Sequence, residues 1–277
     1  MRKLIIGLLI LITILIISFA FVIGFFYVTA SDNTQSVYIY ELQLSTSGTV
    51  KNATLLIPVP SYYNSQSGKN ETLINISLVS FKNFDRDNIS AKIEDVKGVP
   101  MLNISADRIT PVYKNRIQPI AVRPGQNESE LPPVPTHIYS DRYSEETPQL
   151  VKMEIHLYDI SAGDEIDTRM PLGKEPLFMP YRILEDITTS DGMMYEDYYL
   201  SKKGSAGYLF EVPFILSYDS GDENVLTVSS DFQGINQWWV LGWQSNSYSE
   251  RIRHEFKGGC NGTYPVKGLL ITGAGVY

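Results

Sequence analysis

The 277-residue sequence has one cysteine, three histidines and no cluster of lysine or arginine. A single cysteine excludes a disulfide framework and a zinc site built from thiolates. The histidines, His137, His156 and His254, lack the spacing of metal ligands, so we predict neither a metal nor a cofactor. A net charge of −8 without a basic patch argues against a nucleic-acid partner.

Short catalytic motifs are also missing. The sequence contains no G-x-S-x-G, no H-E-x-x-H and no phosphate-binding glycine loop, and we therefore name no catalytic residue. The acidic run over residues 219–224 lacks the ligand spacing of a calcium loop and indicates a solvated turn. Thirty-one acidic residues leave one enzymatic alternative open, a pair of carboxylates for glycoside hydrolysis.

Charge is absent from residues 4–28, a run of twenty-five residues that only four small or polar side chains interrupt. A helix of this length crosses a hydrocarbon core of about 30 Å. Arg2 and Lys3 precede the run and Asp32 is the first charge after it, so the positive-inside rule places residues 1–3 in the cytoplasm. We predict a single-pass signal-anchor at residues 4–28 in the lipid bilayer of the cell membrane, with the rest of the chain outside.

A cleaved signal peptide is the alternative to this anchor. Residues Val28-Thr29-Ala30 resemble a cleavage site, and cleavage there would leave a chain that begins at Ser31. The apolar core of a signal peptide is only about 7–15 residues long. The run is longer than that, which favours the uncleaved anchor.

Seven of the fourteen asparagines begin an Asn-x-Ser/Thr triplet, the acceptor motif for N-glycosylation. These candidate sites are Asn52, Asn70, Asn75, Asn88, Asn103, Asn127 and Asn261. In the predicted strands that contain Asn52, Asn75 and Asn103, alternation puts the asparagine opposite the apolar face, where it should meet water. The pattern predicts an external glycoprotein; the alternative is a polar surface that never meets a glycosyltransferase.

After the anchor, short runs of period-two alternation are separated by turn residues, which is typical of an antiparallel β-sandwich or barrel. Predicted strands cover residues 36–46, 50–59, 73–81, 90–96, 99–106, 151–160, 207–218, 224–230, 236–244, 250–256 and 266–272. The turns are marked by Thr46-Ser47-Gly48, Lys97-Gly98, residues 219–222 and Gly258-Gly259. Large side chains on one face of a strand, Phe210, Val212, Phe214 and Leu216, should supply a core. We predict a mainly β, β-sandwich-like ectodomain.

Seven of the fifteen prolines lie within residues 109–148. Proline lacks a backbone donor, so we expect the segment 107–150 to be extended and largely free of ladders. The segment is either a linker between two β lobes, residues 31–106 and 151–277, or a long loop on one sandwich. Two lobes are the favoured interpretation.

All three tryptophans fall within residues 238–243, inside the strand predicted over residues 236–244. On a single strand, Trp239 and Trp243 would face one way and Trp238 the other. Apolar residues on both faces favour a central strand in the core. The alternative is a glycan or partner platform formed by Trp239 and Trp243, since indole rings suit the apolar faces of sugars.

The lone thiol, Cys260, lies in a glycine-rich turn over residues 258–262. An external unpaired cysteine on a turn predicts an intermolecular disulfide and hence a homodimer. A catalytic pair with His254 is a weaker alternative, because a nucleophilic thiol needs an oriented base. His254 alternates with Ile252 and Phe256, as a partly buried strand residue would.

The basic dipeptide Arg2-Lys3, the isoleucine-rich anchor, the acceptor triplets and the acidic β exterior resemble uncharacterised archaeal single-pass cell-surface proteins. This resemblance rests on composition and layout and transfers no functional residue. The missing catalytic motifs favour a non-enzymatic structural, adhesive or binding protein that contacts envelope glycans or neighbouring surface proteins. A membrane-tethered extracellular hydrolase of polysaccharide or envelope polymers is the alternative.

Overall fold

The computed structural model describes residues 2–83, 87–116, 137–140, 142, 148–151, 153–188, 194–195, 198–199, 205–240 and 242–277. The chain starts with one helix, α1 (Arg2–Asp32), and continues as a mainly β protein, as predicted. The strands are β1 (Gln35–Thr46), β2 (Val50–Pro58), β3 (Pro60–Asn64), β4 (Lys69–Thr72), β5 (Ser80–Lys82), β6 (Ile89–Val96), β7 (Val99–Ile109), β8 (Val112–Arg116), β9 (His137–Ser140), β10 (Pro148–Val151), β11 (Met153–Ser161), β12 (Leu177–Phe178), β13 (Arg182–Asp186), β14 (Met194–Tyr195), β15 (Tyr198–Tyr199), β16 (Ala206–Ser220), β17 (Val225–Trp239), β18 (Trp243–Lys257) and β19 (Cys260–Gly275).

The side chains of α1 are described for residues 6, 7 and 9–25, and the large apolar ones among them are 44–75% exposed. The Thr13 hydroxyl donates to the carbonyl oxygen of Leu9 at 2.9 Å, so the helix itself satisfies this polar group. Within the described residues, no helix has both the length and the apolar character of a membrane span. The assignment of residues 4–28 to the membrane stays a prediction from the sequence.

Eleven strands form one large antiparallel sheet in the order β5-β11-β1-β17-β18-β19-β16-β2-β7-β6, with β13 paired to β16. β18 and β19 pair only where residues 246–252 meet residues 268–275. Beyond this ladder, residues 253–257 pair with β17 and residues 260–267 pair with β16. The sheet therefore curls, and its two halves enclose the core as in a β-sandwich.

Three tight connections carry the chain from one half of the sheet to the other. They join β1 to β2 at residues 47–49, β16 to β17 at residues 221–224, and β18 to β19 at residues 258–259. Backbone hydrogen bonds hold them together, from the amide of Ser47 to the Val225 carbonyl and from the amide of Gly258 to the Asn224 carbonyl. The predicted turns are confirmed as turns. Lys97-Gly98 and Gly258-Gly259 join strands that pair with each other, whereas the other two join strands that do not pair.

Strands on both sides of the proline-rich segment share one sheet and one buried core. β1 pairs with β11 and β17, and β2 pairs with β16. The core contains Phe210, Val212, Phe214 and Leu216, as predicted, together with apolar residues of β1, β2 and β7. The favoured division into two lobes is therefore wrong, because neither set of strands buries its apolar face without the other.

Parts of the proline-rich segment do form ladders, contrary to the prediction. β8 pairs with both β9 and β10 in a separate three-stranded sheet. Residues 117–136, which contain five of the prolines, lie outside the described residues. The prediction fails over residues 112–116, 137–140 and 148–151 because these short runs can exchange backbone hydrogen bonds among themselves.

The strand predicted over residues 73–81 is replaced by a 3₁₀ turn at Ile76–Leu78 followed by the short strand β5. The carboxamide oxygen of Asn75 accepts hydrogen bonds from the amide and the hydroxyl of Ser77, at 3.1 and 2.6 Å. Such local side-chain bonding competes with a β ladder. The apolar alternation alone did not reveal this competition.

Candidate functional site

Residues 162–181, which we call the strap, connect β11 to β13 and contain β12. The strap is bonded to inward-facing side chains of the large sheet, and β12 within it also pairs with β3. Ile166, Thr168, Leu177 and Phe178 of the strap are at most 3% exposed. A segment with little regular structure is thereby fixed in the interior, and its backbone polar groups find side-chain partners.

The first attachment of the strap is a pair of buried asparagines. Asn236 of β17 and Asn246 of β18 are direct cross-strand partners, 1% and 5% exposed. The Asn236 side chain accepts from the amide of Ile166 at 3.0 Å and donates to the Ile166 carbonyl at 2.8 Å. Asn246 accepts from the Thr168 hydroxyl at 2.8 Å. The pair thus substitutes for a neighbouring strand and sets the path of residues 166–168.

The second attachment involves the next inward positions of β18. The Tyr248 hydroxyl donates to the Pro176 carbonyl at 2.7 Å, and the amide of Phe178 donates to the Glu250 carboxyl at 2.7 Å. Glu250 is 2% exposed, and burial raises the pKa of its carboxyl from 4.5 to about 8, against a smaller lowering by the Phe178 amide. Glu250 is therefore a neutral acid at neutral pH.

Glu175 fixes the middle of the strap. Its carboxylate accepts from the Tyr38 hydroxyl at 2.7 Å and from the amide of Asp167 at 2.8 Å. Burial, with the neighbouring Glu175 carboxylate as a further cause, raises the pKa of Tyr38 far above its usual range. The hydroxyl of Tyr38 therefore stays protonated and remains a donor.

Beside the first attachment is an open cleft of about 1400 Å³. The start of β1, the strap, the end of β17, the start of β18 and the last residues of the chain contribute its lining. These residues are Thr34, Gln35, Ser36, Val37, Ser161, Gly163, Asp164, Glu165, Ile166, Asp167, Thr168, Arg169, Trp238, Val240, Gln244, Asn246, Val276 and Tyr277. Besides the aromatic members, Trp238 and Tyr277, eleven of these eighteen residues have amide, hydroxyl or charged side chains.

Two of the charged lining residues already have partners. Lys174 pairs with Asp167 and is the main cause that lowers the pKa of this carboxyl, with help from the backbone amide of Met170. The guanidinium of Arg169 lies 3.8 Å from the ring centroid of Tyr277, in a cation–π contact. Among the described residues, no group of three or more histidine, cysteine or carboxylate side chains is placed to hold a metal ion.

One of the three tryptophans lies at this cleft, and the three do not share a single strand. Trp239 and Trp243 are cross-strand partners at the end of the β17–β18 hairpin, so the strand predicted over residues 236–244 is wrong. Their side chains are 48% and 68% exposed, which also contradicts the favoured core position. Trp238 lines the cleft, whereas Trp239 and Trp243 do not. The chain reverses between Trp239 and Trp243, and Gly242 has a φ of +148° that disfavours other residues.

The glycosylation candidates divide by exposure. Asn52, Asn75, Asn88 and Asn261 are exposed and Asn70 is half-buried. Asn103 is 8% exposed and its amide nitrogen donates to Glu94 at 2.7 Å, so its predicted water-facing position is wrong. Asn127 lies outside the described residues. β7 lies between β2 and β6, and neighbouring side chains cover its outer face as well as its inner one.

Cys260 is a free thiol that is 7% exposed. It lies beside Tyr218, whose pKa is raised by burial and by this thiol. The predicted intermolecular disulfide depends on an exposed thiol, and the structure contradicts that condition. His254 is half-buried with its ring against Phe256 at a centroid distance of 4.6 Å, in agreement with a structural strand residue.

Sequence reasoning did not identify the residues that hold the strap, which are Asn236, Asn246, Tyr248, Glu250 and Glu175. A signal was present, because inward positions of β18 alternate as Asn246, Tyr248, Glu250 and Ile252. Placing a turn at Gly242 would have put these polar residues on the core face. Comparison of the chain with protein-family models, curated protein sequences and solved structures finds no match to any of them.

Proposed function

We propose that the chain is a membrane-anchored, outward-facing β protein that binds hydroxyl-rich, saccharide-like ligands in the cleft. The cleft carries this proposal. Gln35 and Gln244 supply amides, and Asp164 and Glu165 supply carboxylates that accept hydrogen bonds from sugar hydroxyls. The ring of Trp238 offers an apolar face for stacking.

The anchor part of the proposal rests on α1. Twenty-five successive residues carry no charge, and the described apolar side chains of this helix are exposed rather than packed in the β core. Exposed apolar surface of this extent favours a lipid environment. Arg2 and Lys3 at the start favour a cytoplasmic N-terminus and an external β domain.

The acidic lining of the cleft discriminates between neutral and anionic saccharides. The cleft has three carboxylates, Asp164, Glu165 and Asp167, against the guanidinium of Arg169 and the Lys174 ammonium that pairs with Asp167. This excess of negative charge disfavours anionic polymers at close range. We therefore infer that neutral saccharides bind better than uronic-acid or sulfated ones.

The hydrolase is a second candidate, because an aromatic-lined cleft with carboxylates is what a glycosidase needs. A general acid at neutral pH requires a carboxyl whose pKa is raised. The carboxyl with this property, Glu250, is buried against the strap and does not line the cleft. Asp167, which does line it, has a lowered pKa. These positions favour binding over hydrolysis.

Calorimetric titration of the detergent-solubilised full chain with neutral and acidic soluble polysaccharides tests the ligand class. The double substitution Gln35→Ala with Gln244→Ala should weaken binding of the neutral polysaccharide by about tenfold or more, since each lost hydrogen bond costs about 1 kcal/mol. Gln66→Ala, on an exposed turn away from the cleft, is the matched control. Equal binding by the wild type, the double variant and the control would contradict ligand binding in the cleft. Release of reducing ends from the polysaccharide would favour the hydrolase.

Extraction of membranes at alkaline pH tests the anchor separately. The full chain should stay in the membrane pellet. Leu15→Lys combined with Ile16→Lys should move it to the supernatant, because each lysine costs about 3 kcal/mol at the centre of a span. Leu15→Ile combined with Ile16→Leu keeps the apolar character and should behave like the wild type.

A further inference from the structure

Trp239 and Trp243 close the loop between β17 and β18 as a cross-strand pair, and both side chains project from the domain. The part of the hairpin from Phe232 to Ser249 contains no aspartate, glutamate, lysine or arginine. We call Trp239, Val240, Gly242 and Trp243 the hairpin tip. An uncharged tip with two large exposed aromatic rings is an apolar projection that marks an interaction site.

The strand register fixes the place of the tip relative to α1. Only Asn33 and Thr34 separate α1 from β1, and the first residue of β1, Gln35, pairs with Gln237. Because β1 and β17 are antiparallel, continuing this register by two residues puts Trp239 level with Asn33. The tip therefore lies beside the point at which the chain passes from α1 into the β domain.

We propose that the hairpin tip inserts into the outer headgroup layer of the membrane and seats the β domain on the bilayer. This inference rests on the proposed anchor. The apolar run ends at Val28, and α1 continues to Asp32, about 6 Å further at 1.5 Å per residue. The headgroup layer is about 5–7 Å thick on each side, so the level of Asn33 falls at its outer edge.

The composition of the tip favours lipid over a glycan. Residues 238–243 are Trp, Trp, Val, Leu, Gly and Trp, and none of them has a carboxylate, amide or hydroxyl to orient a sugar. Tryptophan prefers the membrane interface, where its ring is buried and its N–H stays wet. A saccharide site needs convergent polar groups, and these line the neighbouring cleft instead.

Seating the tip has a consequence for the cleft. Trp238 and Val240 line the cleft and directly adjoin Trp239. Thr34 and Gln35 line it from the other side, immediately after α1. Insertion of the tip therefore holds the cleft at the membrane surface, within reach of ligands that lie close to the bilayer.

Intrinsic fluorescence gives a direct test, because all three tryptophans of the chain belong to this hairpin. The full chain is incorporated into phosphatidylcholine vesicles, with or without bromine on the upper acyl positions. Wild-type emission should be quenched by the brominated lipid and protected from aqueous acrylamide. Trp239→Ser with Trp243→Ser should lose most of the lipid quenching. Tyr63→Ser is the control, because it removes an aromatic ring that is 65% exposed elsewhere on the domain. This variant should still be quenched by the brominated lipid.

The remaining outcomes separate the two proposals. If the chain incorporates into vesicles but is quenched by acrylamide and not by the brominated lipid, the proposed insertion of the hairpin tip is wrong and the proposed anchor stands. A chain that stays in the supernatant overturns both. A soluble polysaccharide that shifts the emission of the wild type, but not that of the double variant, would assign the tip to glycans and overturn the membrane seat.

Discussion

Asn236 donates from its side-chain amide to the side-chain oxygen of Asn246 at 2.9 Å, across two strands that pair at these positions. Both residues point inward, and both also bind the strap or the chain end next to it. Buried polar side chains are retained where every donor and acceptor finds a partner. The two asparagines therefore hold, from core positions, the strap and the chain end that line the cleft.

Asn236→Ala removes the partner of the Ile166 amide, of the Ile166 carbonyl and of the Ser36 hydroxyl. We expect unfolding free energy to fall by about 2–4 kcal/mol, since each unsatisfied buried group costs about 1–3 kcal/mol. Denaturant titration measures the loss, and hydrogen exchange at Ile166 should accelerate. Ser245→Ala, on an exposed position of β18, should change stability by less than about 0.5 kcal/mol.

Glu250 should make stability depend on pH. Its pKa is raised from 4.5 to about 8, so between these values the folded state keeps a proton that the unfolded state releases. Stability then falls as pH rises through this interval, by about 1.4 kcal/mol per pH unit. Glu250→Gln keeps an acceptor for the Phe178 amide and cannot ionise.

Denaturant titration from pH 5 to pH 9 measures the unfolding free energy of both proteins. As the pH rises, the unfolding free energy of Glu250→Gln should increase relative to that of the wild type. The wild type serves as its own reference at pH 5, where both side chains are neutral. If the difference in unfolding free energy between the two proteins stays constant with pH, the pKa of Glu250 is not raised and its carboxyl is not neutral.

Gly234 and Tyr248 are cross-strand partners, and a Cβ atom at position 234 would overlap the tyrosine ring. Gly234→Ala should therefore destabilise the domain by about 1–3 kcal/mol through overpacking. Thermal unfolding measures the effect. Gly221→Ala is a suitable control, because its Cβ would meet only the end of the Asn224 side chain, at 3.3 Å. Equal melting temperatures for the two variants would refute the close contact.

Glycan attachment should follow exposure. Mass spectrometry of glycopeptides should find modification at exposed candidates such as Asn75 and Asn261, and none at Asn103. The amide nitrogen of Asn103, the atom that would carry a glycan, is engaged with Glu94 in a buried position. Asn75→Gln should raise gel mobility and Asn103→Gln should leave it unchanged. A glycan found on Asn103 would show that this part of β7 is open.

Local patterns predicted much of the fold. Alternation in β1, β2, β7 and β16 identified strands and buried faces, since side chains of a strand point to opposite faces whatever the partner strand is. The glycine of Lys97-Gly98 predicts a turn because glycine tolerates positive φ, and in the structure φ is 56° at Lys97 and 84° at Gly98. Such signals act over a few residues and need no tertiary contact.

The site depended on contacts between distant parts of the chain. Nothing local in the sequence indicates that Asn236 meets Ile166, or that Phe178 donates to Glu250 across seventy-two residues. The exposure of Trp239 and Trp243 likewise followed from a chain reversal inside an apolar run that alternation alone predicts as continuous.

The sequence by itself determined the charge-free run at residues 4–28, the β character of the rest and the acceptor triplets, because these depend on composition and period. Only the tertiary structure decided that one curled sheet replaces two lobes, that Asn103 and Cys260 are buried, and that a polar cleft lies beside the tryptophans. Pairing between strands far apart in the chain is chosen by the burial of their shared apolar faces. That choice is made by the whole chain, and short windows of sequence do not contain it.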